Sequence, residues 1–153
     1  MPFYRCNVPA GSLTDDHKND LAQAITRIHA EVTGAPPALV HVIYNELAAA
    51  DSYTAGEPSS DIIITGHIRA GRSDADKQRL LREVAGACAA ITDRPLDTIA
   101  IFVRDVPPQY ILERGEIAPE LGEEDAWLAT HERSGRRDSR PAGPRRVSDS
   151  HRG

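Results

Sequence analysis

The chain has 153 residues, 40% of them apolar and 27% charged, a globular composition with room for one domain or two small halves sharing a core. No run approaches 18 apolar residues, the start MPFYRCNVPAG lacks a secretory pattern, and Cys6 and Cys88 are too few for a disulfide framework or a four-cysteine zinc site; a reducing cytoplasm is the expected setting. The formal charge of −5 is uneven, with residues 133–153 carrying +5 and the rest −10.

From the amino end, Phe3–Val8 reads as a short strand. Thr14 or Ser12 can cap a helix whose first turn carries Asp15 and Asp16, as the helix dipole favours. Leu21, Ile25, Ile28 and Val32 form one apolar stripe. Gly34 and the pair Pro36–Pro37 stop that helix, and Leu39–Tyr44 is a mostly apolar strand. Ile62–Ile68 is the next strand, and Ser73 the next cap. Leu80, Val84, Ala87 and Ile91 make a second stripe, Pro95 breaks it, and Thr98–Val103 is the last long strand. The segment 131–153 is rich in Arg, Ser, Gly and Pro and reads as a basic, disordered tail. It carries no interleaved aromatics to stack bases, so nucleic acid is not an expected partner.

The chain echoes itself at an offset of 59. Thr14 faces Ser73, Lys18 faces Lys77, and Leu21, Ile25 and Val32 face Leu80, Val84 and Ile91; Thr33 faces Thr92, Pro36 faces Pro95, and Val40 and Val42 face Ile99 and Ile101. This predicts two pseudo-repeats, about 2–60 and 61–120, inside a single domain of residues 2–130. Strand–helix–strand implies a right-handed parallel crossover. The expected fold is therefore α/β: duplicated β-α-β units in a four-stranded, mainly parallel sheet with two helices. Two helices leave one sheet face bare, so an oligomer is expected.

Chemistry is sought where the halves differ. Pro2 is echoed by Asp61, His29 by Cys88, Arg69 by Ala10, Arg72 by Leu13 and Glu113 by Thr54. Met1 is expected to be removed before so small a second residue, leaving Pro2 with a free secondary amine whose reference pKa is about 8. Such an amine can act as acid or base. Arg69 and Arg72 bracket the turn from a strand into a helix, where guanidinium forks suit a carboxylate. Each residue alone also has an ordinary reading, as a surface charge or a half-buried histidine.

Together they resemble the tautomerase superfamily and, within it, the cis-3-chloroacrylic acid dehalogenase group. The resemblance covers roughly residues 2–128. It rests on Pro2, on AITRIHAEVTG around His29, on HIRAGRS around Arg69 and Arg72, and on VPPQYILERGEIAPELGEEDAW around Glu113. It implies a tautomerase-like β-α-β fold, a homotrimer, a small carboxylate substrate, and no cofactor or metal. By resemblance, Pro2 delivers a proton to the substrate α-carbon, Arg69 and Arg72 hold the carboxylate, His29 assists binding and Glu113 activates water. Phe102 stands where the group has a Tyr beside the water, which predicts slower hydration. A keto–enol tautomerase of 2-oxo acids remains an alternative, as does a non-enzymatic trimer that binds a carboxylate or a protein.

Overall fold

The computed structural model describes residues 1–135. The tail expected over 131–153 is helical as far as Gly135, and the rest of it lies outside the described residues. Strand β1 (Phe3–Pro9) leads into α1 (Asp15–Thr33) and then β2 (His41–Leu47), and a small hairpin follows, β3 (Tyr53–Thr54) with β4 (Glu57–Pro58). The second unit repeats this order with β5 (Ile62–Arg69), α2 (Asp74–Thr92), β6 (Ile99–Val106) and the hairpin β7 (Leu112–Glu113) with β8 (Glu116–Ile117). A third helix, α3 (Glu124–Gly135), closes the described chain.

Local chemistry explains the boundaries. Thr14 accepts a hydrogen bond from the His17 amide, and Ser73 one from Asp76, so both helices start at the expected caps. Gly34 ends α1 and Asp93 ends α2, each in the left-handed region. Strand β2 starts at His41 rather than Leu39, because Pro37 opens a 3-10 turn over Pro37–Leu39. Thr98 is taken by the corresponding turn, Leu96–Thr98.

The main sheet has the order β2-β1-β5-β6. Within each unit the strands are parallel, and the units join by antiparallel pairing of β1 with β5, Phe3 opposite His67. One face packs on both helices. Tyr4, Cys6, Val8, Ile62, Ile64 and Ile68 from alternating strand positions meet Leu21, Ile25, Leu80 and Val84 in one core. Among the described residues no helix covers the opposite face, and Phe102 and Ile43 stand exposed there. The two-helix expectation holds for this layer. Helix α3 lies outside it, on a smaller cluster of Met1, Leu39, Ala118 and Leu128.

The repeat extends into the hairpins. Both hairpins turn on two positive-φ residues, Ala55–Gly56 and Arg114–Gly115, as a tight two-residue hairpin requires. No helix among the described residues is long and apolar enough to cross a membrane.

Gly66 faces the core between Tyr4 and Val103. A Cβ there would lie 2.7 Å from the Tyr4 ring. Gly66→Ala is expected to lower stability by about 1–3 kcal/mol, because the ring must move within a close-packed core. Denaturant unfolding measures this, and an unchanged midpoint and slope would contradict it.

Candidate active site

Antiparallel pairing of β1 with β5 sets the chain's first residues beside the end of β5. Arg69 is the last residue of β5, and Gly71 turns the chain with φ +104 into the Ser73 cap. That turn sends Arg72 to the same place. A Cβ at Gly71 would lie 2.4 Å from Leu121, so the turn needs glycine twice over. One cleft is lined by Met1, Pro2, His29, Ala35, Leu39, Arg69, Arg72 and Glu124. The structure thus brings Pro2, His29, Arg69 and Arg72 together.

Glu113 reaches the cleft's rim on β7. Its Oε2 accepts a hydrogen bond from the terminal amine, and its Oε1 lies 2.8 Å from Nε2 of His41. Burial alone would raise the Glu113 carboxyl, but the amine and His41 outweigh it and hold it below its usual value. The Met1 amine also donates to Leu39 O at 2.7 Å. Burial lowers this amine from its ordinary value, and Glu113 works in the opposite direction.

His29 is 3% exposed. Its Nδ1 lies 2.8 Å from the Tyr4 hydroxyl, and the two rings meet edge to face. Burial first, then the positive Arg72 and N-terminus, push its pKa down to about 4. At neutral pH it is therefore an uncharged hydrogen-bonding group in the cleft.

Arg69 is almost fully buried and pairs through Nη1 with Oε1 of Glu124 at 2.9 Å. Arg72 reaches the same oxygen at 3.7 Å and donates to Thr33 O. Glu124, Tyr4 and His41 were not foreseen from the sequence. Glu124 heads a helix hidden by the polar stretch before it. His41 had one cue, a histidine at a strand position whose echo is Ala100.

Phe102 does not reach the cleft. It pairs with Thr65 on the bare sheet face and is 58% exposed. Residues 102 and 104 point away from the helices, whereas 99, 101 and 103 face them. Its expected place beside a water-activating Glu113 is therefore not met within one chain.

Met1 fills the cleft. Its side chain is buried against Leu39, Ala118 and Leu128, and the remaining free volume is about 10 Å³, roughly one water. A larger cavity of about 310 Å³ lies at the pseudo-equivalent end, lined by Pro9, Ala10, Leu47, Ser52 and Asp61 among others. There Thr54 bonds Asp61 at 3.0 Å, echoing the contact of Glu113 with the amine. No basic side chain lines that cavity, so the roomier of these two ends lacks the charged groups. The convergence of charged groups identifies the smaller one as the candidate site.

Known proteins share this family and fold. The sequence model of the Tautomerase_3 family, described as "Putative oxalocrotonate tautomerase enzyme", matches residues 1–132. A 2-hydroxymuconate tautomerase from Stutzerimonas stutzeri is 36% identical over 56 residues, 37% of this chain and 89% of that protein. That matched stretch is about one repeat unit long. Among solved structures, N1, a member of the cis-3-chloroacrylic acid dehalogenase family, has a TM-score of 0.82 at 28% identity, covering 89% of this chain and 96% of its own. A fused 4-OT solved as an asymmetric trimer has a TM-score of 0.72 at 27% identity, covering 78% of this chain and 98% of its own.

The buried His29 makes acid sensitivity specific. Its folded pKa lies below its unfolded value of about 6.5, so protonation favours the unfolded chain. Stability is full above pH about 6.5 and falls between there and pH about 4, by roughly 3 kcal/mol. His29→Gln, which keeps a partner for Tyr4, should remove that part of the pH dependence. Unfolding free energies from pH 7.5 to 4 check this, and parallel curves for the two proteins would contradict it.

Proposed function

The chain belongs to the Tautomerase_3 family, and from that premise we propose a cofactor-independent enzyme that adds water to small α,β-unsaturated carboxylates, with Pro2 as its amino-terminal acid. The observation that carries this reading is the placement of Glu113, an ionised carboxylate delivered by the β7–β8 hairpin to the chain's amino end. Thr54 occupies the same point of the other hairpin.

The reaction uses the processed chain. With Met1 attached, the Pro2 nitrogen is an amide with neither a proton nor a basic lone pair. Removal of Met1 bares the amine and empties the space its side chain fills. The substrate carboxylate then docks on Arg69 and Arg72. Glu113 takes a proton from water as its oxygen bonds the β-carbon. The π electrons move toward the α-carbon and carboxylate, where both guanidinium groups stabilise the developing charge. Cationic Pro2 protonates the α-carbon. A β-halogen leaves as halide when the resulting halohydrin collapses to the 3-oxo acid, releasing a proton. His29, neutral and tied to Tyr4, offers the substrate a hydrogen bond without adding charge.

A second reading, keto–enol tautomerisation of 2-oxo acids, is favoured by one observation. The relatives matched over one unit are named tautomerases. In that reaction Pro2 is a base and no water attacks. The assembly proposed for either is a homotrimer, as the fused 4-OT neighbour forms. It would cover the sheet face that bears Phe102 and Ile43.

Turnover of a cis-3-haloacrylate and of an enolpyruvate separates the readings, after intact mass has shown that Met1 is gone. A form that retains Met1 should lose activity by about 10²–10⁴-fold, the worth of a positioned acid or base. Because Phe102 does not reach the cleft of its own chain, Phe102→Tyr should speed hydration, by up to about tenfold, only if trimer assembly carries that face to a neighbouring cleft, and should leave enol turnover unchanged. Background-level turnover of both substrates by wild type and Pro2→Ala alike would overturn both enzyme readings.

A further inference from the structure

The proposed carboxylate site already contains a carboxylate of the protein's own, and that carboxylate is fixed. Glu124 is 7% exposed, and its Oε2 accepts the Gly122 amide at 2.7 Å. Its position in the first turn of α3 suits a negative charge. Oε1 takes only Nη1 of Arg69, with Arg72 farther off at 3.7 Å. Nη1's other neighbour is Met1 Sδ, at 3.9 Å. The Nε and Nη2 atoms of Arg69, on a side chain that is 4% exposed, have no hydrogen-bond partner among the described residues. These two donors share one edge of the guanidinium plane, and together they form a fork of carboxylate width.

Leaving two buried donors of a charged group unpaired is costly. A pocket that does so has a place for an acceptor. The charges around it can be counted. Arg69 and Arg72 bring two positive charges and Glu124 one negative. The terminal amine and Glu113 offset each other at the rim.

We propose that Glu124 is a built-in counter-ion that positions Arg69 by holding Nη1, turns its Nε–Nη2 edge to the ligand, and limits the arginine pair to one incoming carboxylate. The inference rests on the reading of Arg69 and Arg72 as the carboxylate site. It narrows the substrate class to acids with a single carboxylate at that end, and makes Glu124 a specificity-determining residue. Glu124 does not leave when the ligand arrives, because Gly122 and the turn of α3 hold it independently of the arginines.

The test is calorimetric binding of two unreactive acids, propionate and malonate, to full-length protein shown by mass to lack Met1. Wild type should prefer propionate. Glu124→Gln keeps an acceptor for Nη1 but removes the charge, and should swing selectivity toward malonate by at least about tenfold. Glu124→Asp keeps the charge, and should weaken both acids while preserving the preference. Circular dichroism confirms that each variant is folded. Unchanged selectivity in Glu124→Gln would overturn the proposal. So would tighter binding of both acids by one common factor, which would make Glu124 a mere competitor. Wild type that binds neither acid would overturn the carboxylate reading of the arginines itself.

Discussion

Antiparallel pairing of β1 with β5 is the constraint on which the site depends. Each β-α-β unit is internally parallel, so joining two units antiparallel creates two pseudo-equivalent ends. At one, the start of β1 lies beside the end of β5. At the other, the start of β5 lies beside the end of β1. Only one of these ends holds Met1 and Pro2, and it is there that the proposed reaction needs a free α-amine. Asp61, the echo of Pro2, lies in mid-chain and can never supply one. The arginines at 69 and 72 and the carboxylate at 113 sit at the end with the terminus, while Ala10, Leu13 and Thr54 occupy the other.

The charges at that end act locally. Outside residues 133–153 the chain carries a net −10, so long-range attraction of an anion is not available from the body as a whole. What remains is short-range and partly dry. Arg69 and Glu124 are both buried, and Glu113 is largely shielded beside the amine. In such surroundings each pairing is worth more than at the surface, and each unpaired donor costs more. Met1 belongs to the same arrangement. It blocks the Pro2 nitrogen chemically, occupies the cleft sterically and adds a buried side chain to the cluster under α3.

The long elements were legible in the sequence because they follow local rules. Caps at Thr14 and Ser73, the glycine at 34, and apolar stripes of helical period place α1 and α2 closely. Strand ends at 39 and 98 were misplaced because prolines spend those residues on 3-10 turns. The hairpins carry little hydrophobic pattern, and their only cues were the turns Ala55–Gly56 and Arg114–Gly115 at the repeat offset. Helix α3 had a weak stripe inside a charged stretch, so the carboxylate it delivers, Glu124, was invisible. Pairings such as Tyr4 with His29 or His41 with Glu113 join residues 25 and 72 positions apart, and no local pattern encodes them. Phe102 was readable as a strand residue, and that it points away from its own chain's cleft emerges only from the sheet.

The proposed function stands on a free Pro2 amine and the arginine pair sharing one carboxylate-binding cleft, and the unprotonated fraction of such an amine is nucleophilic. A three-carbon acid bearing an electrophilic β-carbon tests it directly, with adducts mapped by mass spectrometry on protein lacking Met1. The arrangement predicts a single adduct on the Pro2 nitrogen, slowed by an unreactive carboxylate and lost in Arg69→Gln. Labelling that falls elsewhere, or that proceeds at the same rate without Arg69, would contradict it.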